Sequence, residues 1–141
     1  MSDRTFNYPM KVEKGEDATY LSFRDIPDVL WYVNDAENIQ KEAFEALSTA
    51  FSYYFKEGRK IPMASKAKKG EEIVKLPLSY VSKIILHNTM LENKVRPADL
   101  ARTVDVPTSE IARVTNPKIK TKIDTMALAV EAAGGYMQLA F

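Results

Sequence analysis

VRPADLARTVDVPTSEIARVTNPKIKTK, residues 95–122, sets the architecture of the C-terminal half. Leu100, Val104, Val106, Ile111 and Val114 return apolar side chains at helical spacing on either side of a break at Asp105-Val106. That is the pattern of a helix-turn-helix, two short helices pinned at a steep angle by a few apolar residues. Ala101 is small where the helices would cross. Pro97 falls in a first helical turn, where its missing N–H would have had no partner anyway. Thr108 and Ser109 open the second helix. From Arg113 onward the charges are Arg113, Lys118, Lys120 and Lys122, with no acid before Asp124.

Two readings compete for this stretch. One is a two-helix corner whose lysines are merely solvated; the other is a DNA reader whose second helix enters the major groove. Spacing, small residue and basic tail together favour the reader. In such a motif the first, second, fifth and sixth positions of the second helix face the bases. Here those are Thr108, Ser109, Ala112 and Arg113. Arg113 has the donors to bind guanine bidentately, and Ala112 can touch a thymine methyl. The plain alternative for Arg113 is a surface ion pair with Glu110 or Asp99. Lys118, Lys120 and Lys122 would hold phosphates. The expected partner is operator DNA, read by a homodimer or higher homo-oligomer with half-sites roughly 34–36 Å apart.

Working outward, 141 residues suffice for one ordinary domain or two small ones. Hydrophobic residues make up 45% and charged residues 28%, the balance of a globular protein. The absence of cysteine excludes disulfides and thiolate metal sites. No apolar run is long enough to cross a bilayer, and no signal segment opens the chain, so a cytoplasmic protein without a membrane partner is expected. Net charge is only +1, so any affinity for DNA must come from a local patch. Up to Leu76 there are 12 basic and 13 acidic residues, and beyond it 8 and 6, so neither half is a polycation.

The first half alternates like a sheet. Phe6, Tyr8, Met10 and Val12 share one face of a strand, and Pro9 inside it suggests an edge strand or a bulge. Lys14-Gly15-Glu16-Asp17 is a turn into a second strand over 18–23, giving a hairpin. After the elbow Arg24-Asp25-Ile26-Pro27-Asp28, residues 29–33 are a third strand. Asn34 or Asp35 can cap a helix that runs to about Lys56, with Glu37 in its first turn. Its apolar stripe is Ile39, Ala43, Leu47, Ala50 and Tyr54, widened by Phe44, Phe51 and Phe55, and Gly58 stops it. Residues 59–70 are basic and poor in core formers, which marks a mobile loop. Residues 72–76 complete a β-β-β-α-β order, and Pro77 is a boundary. The predicted class is therefore α+β, with an N-terminal domain at 1–76 and an all-α helix-turn-helix domain at 77–141.

The second domain opens with a helix over 80–93, Ser79 as its cap and Val81, Ile84, Ile85, Asn88 and Leu91 recurring at threes and fours. A helix over 121–133 presents Ile123, Met126, Ala127 and Val130 and ends at Gly134-Gly135. A short β-prone run, 136–141, closes the chain and is able to pair with its own domain or another chain.

Several strings in this order resemble a HicB-type antitoxin, in the two-domain form with an Xre or phage-repressor-like helix-turn-helix. They are Tyr8-Pro9, the run Tyr20-Leu21-Ser22-Phe23-Arg24-Asp25-Ile26-Pro27-Asp28, Tyr53-Tyr54-Phe55-Lys56-Glu57, Ile61-Pro62, Leu76-Pro77-Leu78-Ser79, Leu100-Ala101-Arg102, Glu110-Ile111 and Thr121-Lys122-Ile123-Asp124. The resemblance covers nearly the whole chain. It implies a first domain of reduced RNase H-like fold without catalysis, masking a small HicA-type mRNA-cleaving toxin. It implies a second domain that dimerises and represses its own operon. The chain departs from the family's usual pattern at Glu16-Asp17-Ala18-Thr19, where a glycine-rich turn is usual, at Trp31-Tyr32-Val33-Asn34, and at Asp105, where the turn usually carries glycine. Asp tolerates the left-handed conformation better than most residues.

For a basic RNA-cleaving partner, an acidic and partly apolar face is the fitting surface, which makes Asp25, Ile26, Asp28, Trp31 and Tyr32 the candidates. The alternative for Trp31 is that it simply covers the helix. The resemblance leaves a second functional reading, a solitary repressor, such as a phage would carry, without a toxin. Catalysis has little to stand on. Asp25, Asp28, Asp35 and Glu37 are close in sequence but not spaced over separate strands, and His87 is the lone histidine. No phosphate loop, nucleophile set or metal-ligand set is present, so no cofactor, metal or enzyme activity is expected.

Overall fold

The structure, a computed structural model, describes residues 6–34 and 38–137. Two compact units emerge. One holds the described residues up to Glu57 together with Ile61–Leu76, the other Gly58–Lys60 with those from Pro77 onward.

The first unit is α+β. Strands β1 (Pro9–Lys14), β2 (Thr19–Phe23) and β3 (Leu30–Val33) precede helix α1 (Ile39–Glu57), and strand β4 (Glu72–Ile73) follows it. The sheet order is β3-β2-β1-β4, and every neighbouring pair is antiparallel. Strand β1 is thus interior, where Pro9 had suggested an edge strand or a bulge. The register explains why proline is tolerated. The Tyr8 carbonyl accepts from the Val74 N–H at 2.9 Å, so alternation turns the Pro9 nitrogen to the other side. There β2 has already ended, because its last residue, Phe23, pairs with Met10.

Alternation also separates the two faces of the sheet. Leu21 and Phe23 of β2, Met10 of β1 and Val33 of β3 are buried together with Ala43, Ala46, Leu47 and Phe51 of α1. The buried stripe of the helix is Ala43, Ala46, Leu47 and Phe51, and Ile39 and Ala50 are half-buried. Tyr8 stacks obliquely on Phe51, ring centroids 5.4 Å apart, and its hydroxyl donates to the Pro62 carbonyl at 2.6 Å. Each large side chain removed from water here contributes on the order of 1.5–3 kcal/mol. Gly58, at φ +65°, ends α1 in the left-handed region.

The 59–70 segment, expected to be a mobile loop, is anchored. Ile61 and Ala64 are buried. Arg24 reaches across to Ser65, to the Lys66 carbonyl at 2.9 Å and to Glu71 at 2.6 Å, and the Ser65 N–H donates to Asp25 at 3.0 Å.

The second unit is helical: α2 (Leu78–Glu92), α3 (Pro97–Val104), α4 (Thr108–Thr115) and α5 (Ile123–Ala132). Helix α2 begins at Leu78 behind Pro77, so Ser79 lies inside the first turn rather than capping it. Leu86 and Met90 of α2, Leu100 and Ala101 of α3, Ile111 and Val114 of α4, and Met126, Ala129 and Val130 of α5 make one core. Ile123, expected on the inward face of α5, is 40% exposed instead.

Three of these helices end in one motif. Val95 N–H returns to Met90 O, Val106 N–H to Ala101 O and Gly135 N–H to Val130 O, each following a residue at positive φ. Those residues are Lys94, Asp105 and Gly134. The six-to-one bond satisfies carbonyls that a helix end leaves without partners. For the terminal run expected at 136–141, Tyr136 and Met137 are not in a strand, and the rest lies outside the described residues, as do Asp35 and Glu37.

Candidate functional site

Helices α3 and α4 are short, and their inward faces hold only a few side chains. Leu100 and Ala101 meet Ile111 and Val114 in the core, with Val104 and Val106 half-buried beside them. Asp105 at φ 55° and ψ 52° makes the turn, and Pro107, extended at φ −61° and ψ 150°, leads directly into Thr108. With Ile111 and Val114 turned inward, the opposite side of α4 faces solvent. Thr108, Ser109, Ala112 and Arg113 are all exposed on it. Positions one, two, five and six of a helix share one side, so the four form a single strip. Asp99, one suggested partner for Arg113, is engaged elsewhere. Its carboxylate accepts the Arg96 backbone N–H at 3.0 Å and pairs with the guanidiniums of Arg96 and Arg102. Those bonds hold its pKa below the usual carboxylate value.

The loop after α4 is built by Asn116. Its N–H returns to Arg113 O at 3.2 Å, its side-chain oxygen accepts the Lys118 N–H at 2.9 Å, and its carbonyl accepts the Ile119 N–H at 3.2 Å. Asn followed by Pro117 suits such a turn, because the Asn side chain bonds its own backbone two residues on while proline fixes φ. Lys118, Lys120 and Lys122 project from it, exposed.

A residue that the sequence did not single out sits underneath. Lys83 of α2 is 2% exposed, and its ammonium donates to Arg113 O at 3.1 Å, Val114 O at 2.7 Å and Thr121 Oγ1 at 2.7 Å. Burial pushes its pKa down to about 8. Nothing in the local string Val81-Ser82-Lys83-Ile84 marks this, since a lysine among apolar residues ordinarily turns outward.

In the first unit the five candidates separate. Asp28 and Tyr32 are exposed. Asp25 is half-buried and spends its carboxylate on the Ser65 N–H. Ile26, turned inward by the elbow, is only 1% exposed and belongs to the core, which corrects its place on a contact face. Trp31 pairs with Leu21 on the covered side of the sheet and donates its indole N–H to Glu42 of α1 at 2.9 Å. It covers the helix. Two unanticipated residues stand beside Tyr32 on the open face: Tyr20, directly opposite it, and Leu30, opposite Ser22. They are 41% and 71% exposed. The parity of the strand, with Leu21 and Phe23 inward, was the available signal.

Among the described residues no group of three or more His, Asp or Glu side chains is placed to hold a metal ion. His87 meets the Arg59 carbonyl at 2.7 Å, and burial lowers its pKa. Among the described residues no helix is long and apolar enough to cross a membrane.

Comparison with known proteins follows this architecture. The family profile described as HicB-like antitoxin of bacterial toxin-antitoxin system matches residues 7–85, which takes in the sheet, α1 and the start of α2. Antitoxin HicB 2 of Photorhabdus laumondii is similar at 38% identity over 136 residues, covering 96% of each chain. Antitoxin HicB of Escherichia coli strain K12 is similar at 34% identity, covering 94% of this chain and 96% of its own. These alignments run on through α3, α4 and α5. By both measures the chain belongs to the HicB-like antitoxin family of bacterial toxin-antitoxin systems.

Proposed function

We propose that the chain is a two-part antitoxin: residues 1–76 mask a small, basic, mRNA-cleaving toxin of the HicA type, and residues 77–141 dimerise and repress the chain's own operon. On this reading α3 and α4 are a helix-turn-helix, and no step requires catalysis. The observation that carries the DNA half is the strip on α4. Thr108, Ser109, Ala112 and Arg113 are exposed on the side opposite Ile111 and Val114, and three exposed lysines follow at once. Arg113 and the groups beside it would read base edges, while Lys118, Lys120 and Lys122 would hold phosphates. Ile123, Leu128 and Tyr136, respectively 40%, 63% and 72% exposed, give the second unit apolar surface with which to dimerise.

The toxin half rests on the open sheet face. Tyr20, Leu30 and Tyr32 offer aromatic and aliphatic anchors, and exposed Asp28 adds the charge that a basic partner favours.

A mobility-shift assay on the DNA upstream of the chain's own coding sequence tests the first half. The expected outcome is a discrete complex that competitor DNA does not displace; binding no tighter than to random duplex would reject the repressor. Co-expression with a small basic HicA-type reading frame, sought next to the chain's own gene, tests the second. Failure of the two to co-purify would leave a solitary repressor.

A further inference from the structure

Lys83 is the only buried charged side chain among the described residues. A cation removed from water is retained only where acceptors replace the water it lost. Here all three acceptors lie at one junction. Val114 O and Arg113 O belong to the last turn of α4, where Val114 O lacks an N–H partner within the helix and Arg113 O meets only the capping Asn116 N–H. Thr121 Oγ1 lies near the far end of the lysine loop, two residues before α5 begins at Ile123. One ammonium on α2 thus ties the exit of α4 to the entry of α5.

The same contact has an electrostatic consequence. The carbonyl end of a helix carries roughly half a negative charge. Left bare, that charge would sit beside Lys118, Lys120 and Lys122 and oppose any phosphate they approach. The Lys83 ammonium cancels it from the inside.

We propose that Lys83 is a positioning residue of the DNA-reading surface, locking Arg113 and the lysine loop into one rigid set and neutralising the helix end behind them. The inference rests on the DNA-binding reading given above. The charged groups on the surrounding elements are Glu110 and Arg113 of α4, Lys118, Lys120 and Lys122 of the loop, Asp124 and Glu131 of α5, and His87 and Glu92 of α2 itself. All but half-buried His87 are exposed. No carboxylate is among the three partners of the ammonium, so its charge answers to backbone and hydroxyl oxygens alone. Since burial has brought its pKa to about 8, the tie weakens as the proton leaves. A neutral amine donates two hydrogen bonds instead of three.

The test uses the full chain, native, Lys83→Met and Thr121→Val, titrated onto a random-sequence duplex of about 30 base pairs over a salt series and from pH 7 to 9. Hydrogen exchange of the Asn116 and Ile119 amides, which bond within the loop, is followed in parallel. Lys83→Met is expected to bind roughly tenfold more weakly, with a salt slope lower by about one. The two amides should lose protection, and Thr121→Val should fall between the variants. Native affinity should decline as pH rises from 7 to 9, and the decline should be absent in Lys83→Met.

A folded Lys83→Met chain with native affinity, slope and protection would overturn the proposal. If Lys83→Met does not fold, native behaviour of Thr121→Val overturns it in the same way. If the native chain binds no duplex at all, the DNA-binding reading fails separately. Exchange then decides whether the lock exists: lost protection upholds it, and unchanged protection removes it.

Discussion

Tyr20 and Tyr32 stand directly opposite each other on β2 and β3, 41% and 65% exposed on the face of the sheet turned away from α1. Neither ring is needed to fill the core. Aromatic pairs of this kind are the usual anchors of a protein interface. Replacing both with serine should therefore leave unfolding nearly unchanged, within about 0.5–1 kcal/mol for a lost cross-strand pair. Affinity for a HicA-type toxin, the partner proposed above, should fall at least tenfold by calorimetry, on the hot-spot scale of about 1.4 kcal/mol or more. Native affinity in the double variant would move the toxin site off this face.

Arg113 and Lys120 should behave differently. Arg113→Ala is expected to narrow the gap between operator and random DNA by roughly 1–3 kcal/mol, because a base-edge contact is lost. Lys120→Ala should weaken binding to every sequence alike and reduce the salt slope by about one. Binding isotherms on both duplexes at several salt concentrations distinguish these outcomes. If neither change alters the isotherms, α4 and its loop are not the DNA surface.

Backbone strain gives a prediction independent of function. Lys94 occupies φ 56°, where a Cβ is unfavourable, and it does so only to close α2. Lys94→Gly should raise stability by about 0.5–1 kcal/mol. Gly134→Ala should lower it by more than about 1 kcal/mol, since it sits at φ 96° and a Cβ there would lie 2.7 Å from Asn93 Nδ2. Urea denaturation of the two variants against the native chain reads both signs.

Two groups set opposite ends of the pH profile. Arg24 and the Lys68 N–H hold the Glu71 carboxyl below its ordinary value of 4.5. Its folded pKa is depressed, so its contribution is present above about 4.5 and is lost as pH falls through the folded value. Glu71→Gln should flatten that acid limb. Lys83 acts on the alkaline side. Its folded pKa is about 8 against 10.5 for a free lysine, so between those values the unfolded chain holds more protons and stability rises with pH. Relative to Lys83→Met, the native chain should gain on the order of 1–2 kcal/mol between pH 7 and 9.5 in denaturation experiments.

The α+β class and the four strands were readable from alternation, because one buried face imposes a period of two that few other structures share. The two short helices were readable for a related reason. Asp105 and Pro97 are residue types whose backbone preferences fit few positions, and each occupies one of them, the left-handed turn and the first helical residue. What escaped depends on tertiary neighbours. Ile26 looked available because Asp25 and Asp28 flank it, yet its inward turn is set by the elbow's own bonds, Ile26 N–H to Phe23 O and Val29 N–H to Ile26 O. The anchoring of residues 61–71 rests on Arg24, more than forty positions away along the chain. Lys94 was illegible because a left-handed lysine carries no compositional mark. Lys83 was illegible because only the folded unit supplies its three acceptors.

Because α3 closes through Val106 N–H to Ala101 O, the bend that aims α4 is held by main chain, not by what the outer side chains are. The outward residues of α4 are thereby relieved of any scaffolding duty. On the proposed DNA-binding reading they can be exchanged over generations, altering which target is preferred, while the hinge that points them stays as it was.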